Sequence, residues 1–200
     1  MPPRTRRPRG RPAGAAPVSR EAILDAVHRL LQEGSVRDLT MEAIARRAGV
    51  GKPTLYRWWP SKAALVVDMF MARIAAEEGA EPSPAGPAAE ELRTRMRRMV
   101  RELNGVYGKV LADLIAEGQS DPGVLRELFD RKIGPRRDST AAMIERGQAS
   151  GELRQDLDAE VVVDMLAGPM YYRLLLRHAP LTEAYADALV DHVLRSIRAA

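Results

Sequence analysis

The 200-residue chain contains no cysteine, which removes disulfides, thiolate metal sites and thiol nucleophiles together. Its three histidines, His28, His178 and His192, stand too far apart for a His-Glu-x-x-His metal pair. A glycine-rich phosphate loop and a Gly-x-Ser-x-Gly elbow are both absent. Enzymatic chemistry therefore finds little support, and no catalytic residue, metal or cofactor is expected. No apolar run approaches the ~18 residues of a membrane span, and no apolar segment follows the basic N-terminus as a secretory leader requires. A soluble, cytoplasmic protein without a membrane partner is the expectation. Acidic residues are also scarce at one end. Residues 1–60 hold 12 Lys/Arg against 5 Asp/Glu, a balance of +7, whereas the remaining 19 against 22 give −3. Such asymmetry points the N-terminal end at a polyanion.

That same end carries the most structured stretch of the chain, residues 40–62. Thr40 is an N-cap, and Glu42 lies in the first turn, where the helix dipole favours an acid. Met41, Ile44, Ala45 and Ala48 recur on one helical face. Gly49 supplies the left-handed conformation of a tight reversal, and Val50 plugs the angle. Pro53 suits the first position of a second, short helix, because its missing N–H would be unpaired there. Leu55 is that helix's clear core residue, with Trp58 or Trp59 closing its end, while Lys52, Thr54, Tyr56 and Arg57 occupy its other faces. A helix too short to stand alone, held by a glycine turn against an apolar partner, reads as a helix-turn-helix.

The wording of residues 49–65, GVGKPTLYRWWPSKAAL, closely resembles the helix-turn-helix of TetR/AcrR-type transcriptional regulators. The resemblance covers residues 19–70. Gly51, Pro53 and Trp58-Trp59 depart from the commonest pattern of that family. The resemblance implies an all-α protein, with a three-helix DNA-binding domain and a larger helical domain for effector binding and dimerisation. Matched to the family motif, Lys52, Pro53 and Tyr56 read base edges, with Thr54 and Arg57 beside them and Gly51 at the helix start. Proline offers only apolar contact, for instance with a thymine methyl. Phosphate contacts fall to Thr40, Tyr56, Trp58 and Lys62, and Trp59 to packing.

Around this centre the chain divides into a basic arm (1–17), a DNA-binding domain (18–65) and an effector and dimerisation domain (66–200), with the fourth helix joining the last two. The arm has five arginines and no acid, too little apolar surface to order itself. Its Pro8-Arg9-Gly10-Arg11-Pro12 core looks like an AT-hook, in which Arg9 and Arg11 would meet the negative potential of a narrow A·T minor groove. A generic basic tail on phosphates remains the other reading. Helix 1 opens at Ser19, carries Ile23, Ala26, Val27, Leu30 and Leu31 on one face, and ends at Gly34, with His28 in a structural place. Ser61 caps helix 4, and residues 79–87 form a turn-rich connector.

From Ala88 a helix carries Met96, Met99, Val100 and Leu103 on one face. Its arginines (Arg93, Arg95, Arg97, Arg98 and Arg101) form a solvated surface offset by Glu90, Glu91 and Glu102. Asp121-Pro122 starts another helix, Gly134-Pro135 interrupts it, and Gly151-Glu152-Leu153 is a turn. Asp158 and Thr182 cap the last two helices, and Gly168-Pro169 should kink or restart the first of them. Both are apolar over more of their circumference than a small domain needs. In the resembled family their equivalents pair across a two-fold axis, which designates Val162, Leu166, Tyr185, Leu189, Val193 and Ile197 as a homodimer interface. The family also often holds a small molecule within its C-terminal helices. Candidate lining residues are Met96, Met99, Leu103, Tyr107, Leu111, Leu114, Phe129, Met143, Met165 and Tyr172, and with no charged residue on these stripes the expected effector is neutral or apolar. The combined expectation is a homodimeric repressor that binds palindromic duplex DNA and is released by a small-molecule effector. An architectural A·T-rich DNA binder without an effector is the alternative.

Overall fold

The computed structural model describes residues 19–78 and 86–199; the arm with Arg9 and Arg11, and most of the connector, lie outside them. The described residues form α1 (Arg20–Glu33), α2 (Met41–Ala48), α3 (Lys52–Trp58), α4 (Lys62–Glu78), α5 (Ala88–Leu103), α6 (Val106–Gly118), α7 (Pro122–Leu128), a π turn (Phe129–Ile133), α8 (Gly134–Ala149), α9 (Ala159–Leu176) and α10 (Glu183–Ile197). The fold is all-α, and its extended pairing among the described residues is an isolated antiparallel bridge of Leu153 with Arg198.

Local chemistry sets the helix starts. Ser19 Oγ accepts from the Ala22 N–H at 3.2 Å, Thr40 Oγ1 from Ala43 at 3.1 Å, and Ser61 Oγ from Ala64 at 3.0 Å. Asp121, Asp158 and Thr182 cap α7, α9 and α10 in the same way. Each such cap contributes about 1 kcal/mol by satisfying an otherwise orphan donor. Pro87 before α5 has no capping side chain, and the work passes to Glu152, whose carboxylate accepts from Ala88 at 2.7 Å and Ala89 at 2.9 Å. The expected 151–153 turn is present and thus also closes a helix 64 residues upstream of it.

Two of the expected breaks do not occur. Gly134-Pro135 leaves the chain helical: the N–H of Gly134 donates to the carbonyl of Phe129, five residues back, and α8 continues directly. A π turn widens the helix where a proline ring would otherwise collide with the preceding turn. Gly168-Pro169 likewise lies within one continuous α9. Tertiary packing of buried Val162, Val163, Leu166, Met170 and Leu174 on both sides of the proline outweighs its local cost.

The helices pack in two groups around one apolar core. α1 rests on α2, α4 and α6, and α3 on α2; α5 lies along α10 and α8, with α8 against α9. α4 joins the groups, touching α1 on one side and α7 and the π turn on the other. Ile23, Val27, Leu31, Ile44, Leu55 and Leu65 fill the small group, and Leu92, Leu111, Leu114, Leu128 and Ile144 the large one. The arginines of α5 are not a plain solvated surface offset by neighbouring acids. Arg93 and Arg97 bind Asp187 and Arg93 also Asp191, which ties α5 to α10, while Arg101 and Glu183 form a more exposed pair at the end of that contact. Arg95 turns inward, is buried, and donates to Ser139 Oγ and the Arg136 carbonyl.

Candidate nucleic-acid interface

α2 and α3 meet through Gly49, whose φ of 68° puts it in the left-handed region. Its N–H donates back to the end of α2, and Val50 donates to Ala45 at 3.0 Å while packing on the core. α3 starts at Lys52, which places Pro53 at the second rather than the first helical position; its lost donor is still one of the four that a helix start leaves orphaned. Leu55 is fully buried. Trp59 is 3% exposed and follows the helix as its C-cap, so it is the packing tryptophan.

The opposite face is open. Lys52, Pro53, Arg57 and Trp58 are exposed, Tyr56 is 52% exposed, and Thr54 is half-buried at the edge. Thr40 and Gly51 are exposed at the starts of α2 and α3. Lys52 Nζ donates to Glu42 Oε1 at 2.6 Å, an interaction that holds the Glu42 carboxyl below its ordinary range and raises the lysine. An exposed pair of this kind is weak and can be exchanged for a phosphate or a base. Arg57 lies over the Trp58 ring, and the two tryptophans meet edge to face with centroids 5.4 Å apart.

Lys62 departs from the assigned pattern. Its ammonium donates to the Val36 carbonyl and meets Glu117 of α6, each at 3.0 Å. It fastens the start of α4 to the large group and takes no part in the open face of α3.

Behind α3 stands a residue with no sequence signature. Asp68 of α4, 6% exposed, accepts from the Trp59 indole at 2.6 Å, from Arg131 of the π turn at 2.6 Å, and from Arg20 of α1. One carboxylate thus joins the end of α3, the first helix and the C-terminal group.

The ten candidate lining residues do not share one space. Met96 and Met99 border an inner cavity of only about 40 Å³, room for roughly one water. Tyr107 borders a separate cavity at the junction of α1, α4, α5 and α6, and Leu103 a cleft by the end of α9. Leu111 and Leu114 are packed core, Met143 packs against it, and Phe129, Met165 and Tyr172 are exposed. The inner space is also not neutral. Arg95, Arg136 and Arg137 border it, while the ammonium of buried Lys132 stands 5.5 Å from the centre of the Tyr107 ring, which belongs to the separate cavity. Arg95 lies four residues before Met99 and next to Met96, so the inward arc of α5 is wider than its apolar stripe.

The proposed dimer residues are also redistributed. Val162, Leu166, Val193 and Ile197 are buried within the chain, and Tyr185 is covered by the Arg173 guanidinium at 3.4 Å. Exposed on α9 instead are Val161, Met165, Tyr172, Leu175 and Leu176. Val161 and Met165 share an open groove with Leu189 and His192 of α10. Because α9 is apolar all round, periodicity could not select the face.

Residues 23–69 match the family model for bacterial regulatory proteins of the tetR family, and residues 82–193 that for the tetracyclin repressor-like C-terminal domain. A transcriptional regulator of Bacillus subtilis, the uncharacterised HTH-type YdeS, is 34% identical over 191 residues, covering 96% of this chain and 94% of its own. The crystal structure of the TetR family transcription regulator SCO0332 superposes with a TM-score of 0.73 at 33% identity, over 88% of this chain and 96% of that one. Bacillus subtilis FadR, solved in complex with stearoyl-CoA, shares the fold at a TM-score of 0.69 and 17% identity, over 90% of this chain and all of its own. With both halves matched, and an open basic-aromatic helix mounted on a glycine turn, the chain belongs to the TetR family of helix-turn-helix transcriptional regulators.

Proposed function

We propose that this regulator is a repressor that binds a palindromic operator as a homodimer in the cytoplasm and leaves it when a small molecule binds. The observation that carries the reading is the division of α3: Leu55 fixes the helix from below, while Lys52, Pro53, Tyr56 and Arg57 are exposed, with an exchangeable Lys52–Glu42 ion pair and Arg57 over the Trp58 ring. In the major groove Lys52 and Tyr56 would reach base edges, with Pro53 against a thymine methyl and Thr40, Gly51, Thr54 and Trp58 along the backbone. DNA-binding and effector parts divide near residue 65, with α4 spanning the division. The second copy covers the groove of Val161, Met165 and Leu189, which sets two α3 helices on one duplex. Small-molecule control is supported by the cavity where the two helical groups meet and by the shared fold of FadR, which was solved in complex with stearoyl-CoA.

The test is selection of bound duplexes from a random pool with the full chain, followed by affinity measurement for Tyr56→Ala. A two-fold symmetric consensus is expected, and the variant should lose about 1–3 kcal/mol of specific binding with an unchanged melting profile. Normal operator binding by the folded variant would remove Tyr56 from the interface. Selection of A·T-rich DNA without symmetry would support the architectural alternative.

A further inference from the structure

A cavity of about 280 Å³ lies where the small helical group meets the large one. Phe70 and Arg73 of α4, with His28 of α1, form one wall; Arg101 of α5 and Tyr107 and Val110 of α6 form the other. Part of its lining is aromatic: Phe70 and Tyr107 border it, their rings stacked on each other with centroids 4.0 Å apart and planes 20° from parallel. Cations stand at its mouth. The side chains of Arg73 and Arg101 are 40% and 59% exposed, and their partners Asp25 and Glu183 are about equally open to solvent. Ion pairs as exposed as these are weak, so an incoming carboxylate can take a guanidinium from its present partner with a charge-assisted, two-pronged hydrogen bond. Glu102, the acid in the lining, is already held by Arg136 and Arg98 and does not oppose an anion.

We propose that this junction binds a small, flat aromatic acid, its ring against the Phe70–Tyr107 pair and its carboxylate on Arg101 and Arg73. Its regulatory consequence rests on the effector-responsive reading above; the binding itself does not. α4 forms one wall and also holds Asp68, two residues before Phe70, on which the Trp59 indole at the end of α3 is fastened. The other wall belongs to the large group. A ligand filling the space therefore prefers one separation of α4 from α5 and α6, and a preference between two states is what shifts a population. In this account the acid acts as a wedge behind the reading helix.

The experiment uses the full chain with 2-naphthoate and its neutral counterpart 2-naphthalenemethanol, titrated by calorimetry. Naphthoate should bind at least about tenfold more tightly than the alcohol, and Arg101→Gln should remove most of that difference while leaving the alcohol's affinity alone. Arg101 is a surface side chain, so the variant tests charge without disturbing the core. Methionine methyl resonances locate the ligand independently: Met69, which lines the junction, should shift more than Met96 and Met99 of the inner cavity. No binding of either compound at millimolar concentration would overturn the proposal, as would equal affinity for both or shifts confined to Met96 and Met99. Naphthoate should also lower affinity for the selected duplex by about tenfold or more. Undiminished DNA binding by naphthoate-saturated protein would overturn the wedge, whereas the operator-binding reading is tested separately by the symmetry of the selected duplexes.

Discussion

Asp68 keeps its charge inside the protein against a strong opposing effect. Burial by itself pushes the carboxyl upward; hydrogen bonds from Trp59, Arg131 and Arg20 outweigh it and hold the group below the usual carboxylate range. A carboxyl whose folded pKa is depressed stabilises the protein above its unfolded value, near 3.9, and loses that contribution as pH falls through the folded value. Asp68→Asn should thus destabilise the fold by about 1–3 kcal/mol at pH 7, since two guanidinium groups lose their carboxylate. The difference between parent and variant should shrink near pH 3, where the parent begins to lose the same charge. Urea unfolding at the two pH values checks this, and an undiminished gap in acid would remove the electrostatic account. Sequence offered no access to this residue. Its arginine partners lie 48 and 63 positions away, and an isolated aspartate between Val67 and Met69 has the spacing of any solvent-facing position. The exposure of Lys52 and Tyr56 was legible for the opposite reason: a seven-residue helix can bury little, here Leu55 alone.

Element boundaries were readable wherever the deciding contact spans only a few residues. Ser19, Thr40, Ser61, Asp121, Asp158 and Thr182 each cap the helix that follows, because a capping oxygen reaches the N–H two or three positions on. Boundaries decided by distant packing were not readable, which is why Gly134-Pro135 and Gly168-Pro169 look like breaks and are continuous helix. Gly108 shows the same limit from the other side. Its need for glycine comes from packing and not from a turn: it lies inside α6, where the helix passes the end of α5 so closely that a methyl group built on it would stand 1.9 Å from the Leu103 carbonyl oxygen. That oxygen is backbone and cannot swing aside. Gly108→Ala should therefore force α5 and α6 apart and cost about 1–3 kcal/mol or more, seen as a lower midpoint in thermal unfolding. A midpoint equal to the parent's would mean that the two helices slide without penalty. Since Arg101 and Tyr107 flank this contact, the variant also tests how firmly the junction cavity is held open.

At the scale of the whole molecule, the exposed strip on α9 is where the proposed dimer would join, and would thereby set whether one α3 helix or two meet the DNA. Val161, Met165, Tyr172 and Leu176 repeat at intervals that keep them on one side of α9, and all are exposed in the single chain. Contiguous apolar surface of this kind, beside the groove shared with Leu189, marks an interaction site. The protein should sediment as a dimer at micromolar concentration. Met165→Asp would place an unpaired charge in the seam and should yield folded monomers. Val162→Asp should instead unfold the chain, because Val162 is buried within it. The contrast separates the free face from the inner face of the same helix, which periodicity alone could not do. The functional consequence follows from DNA geometry. A symmetric dimer places its reading helices on half-sites about 34–36 Å apart, one helical turn, and binds both with one loss of translational freedom. The Met165→Asp monomer should thus retain weak, salt-sensitive binding to any duplex while losing its preference for the selected palindrome. Equal preference in monomer and parent would place dimerisation outside the DNA-reading function.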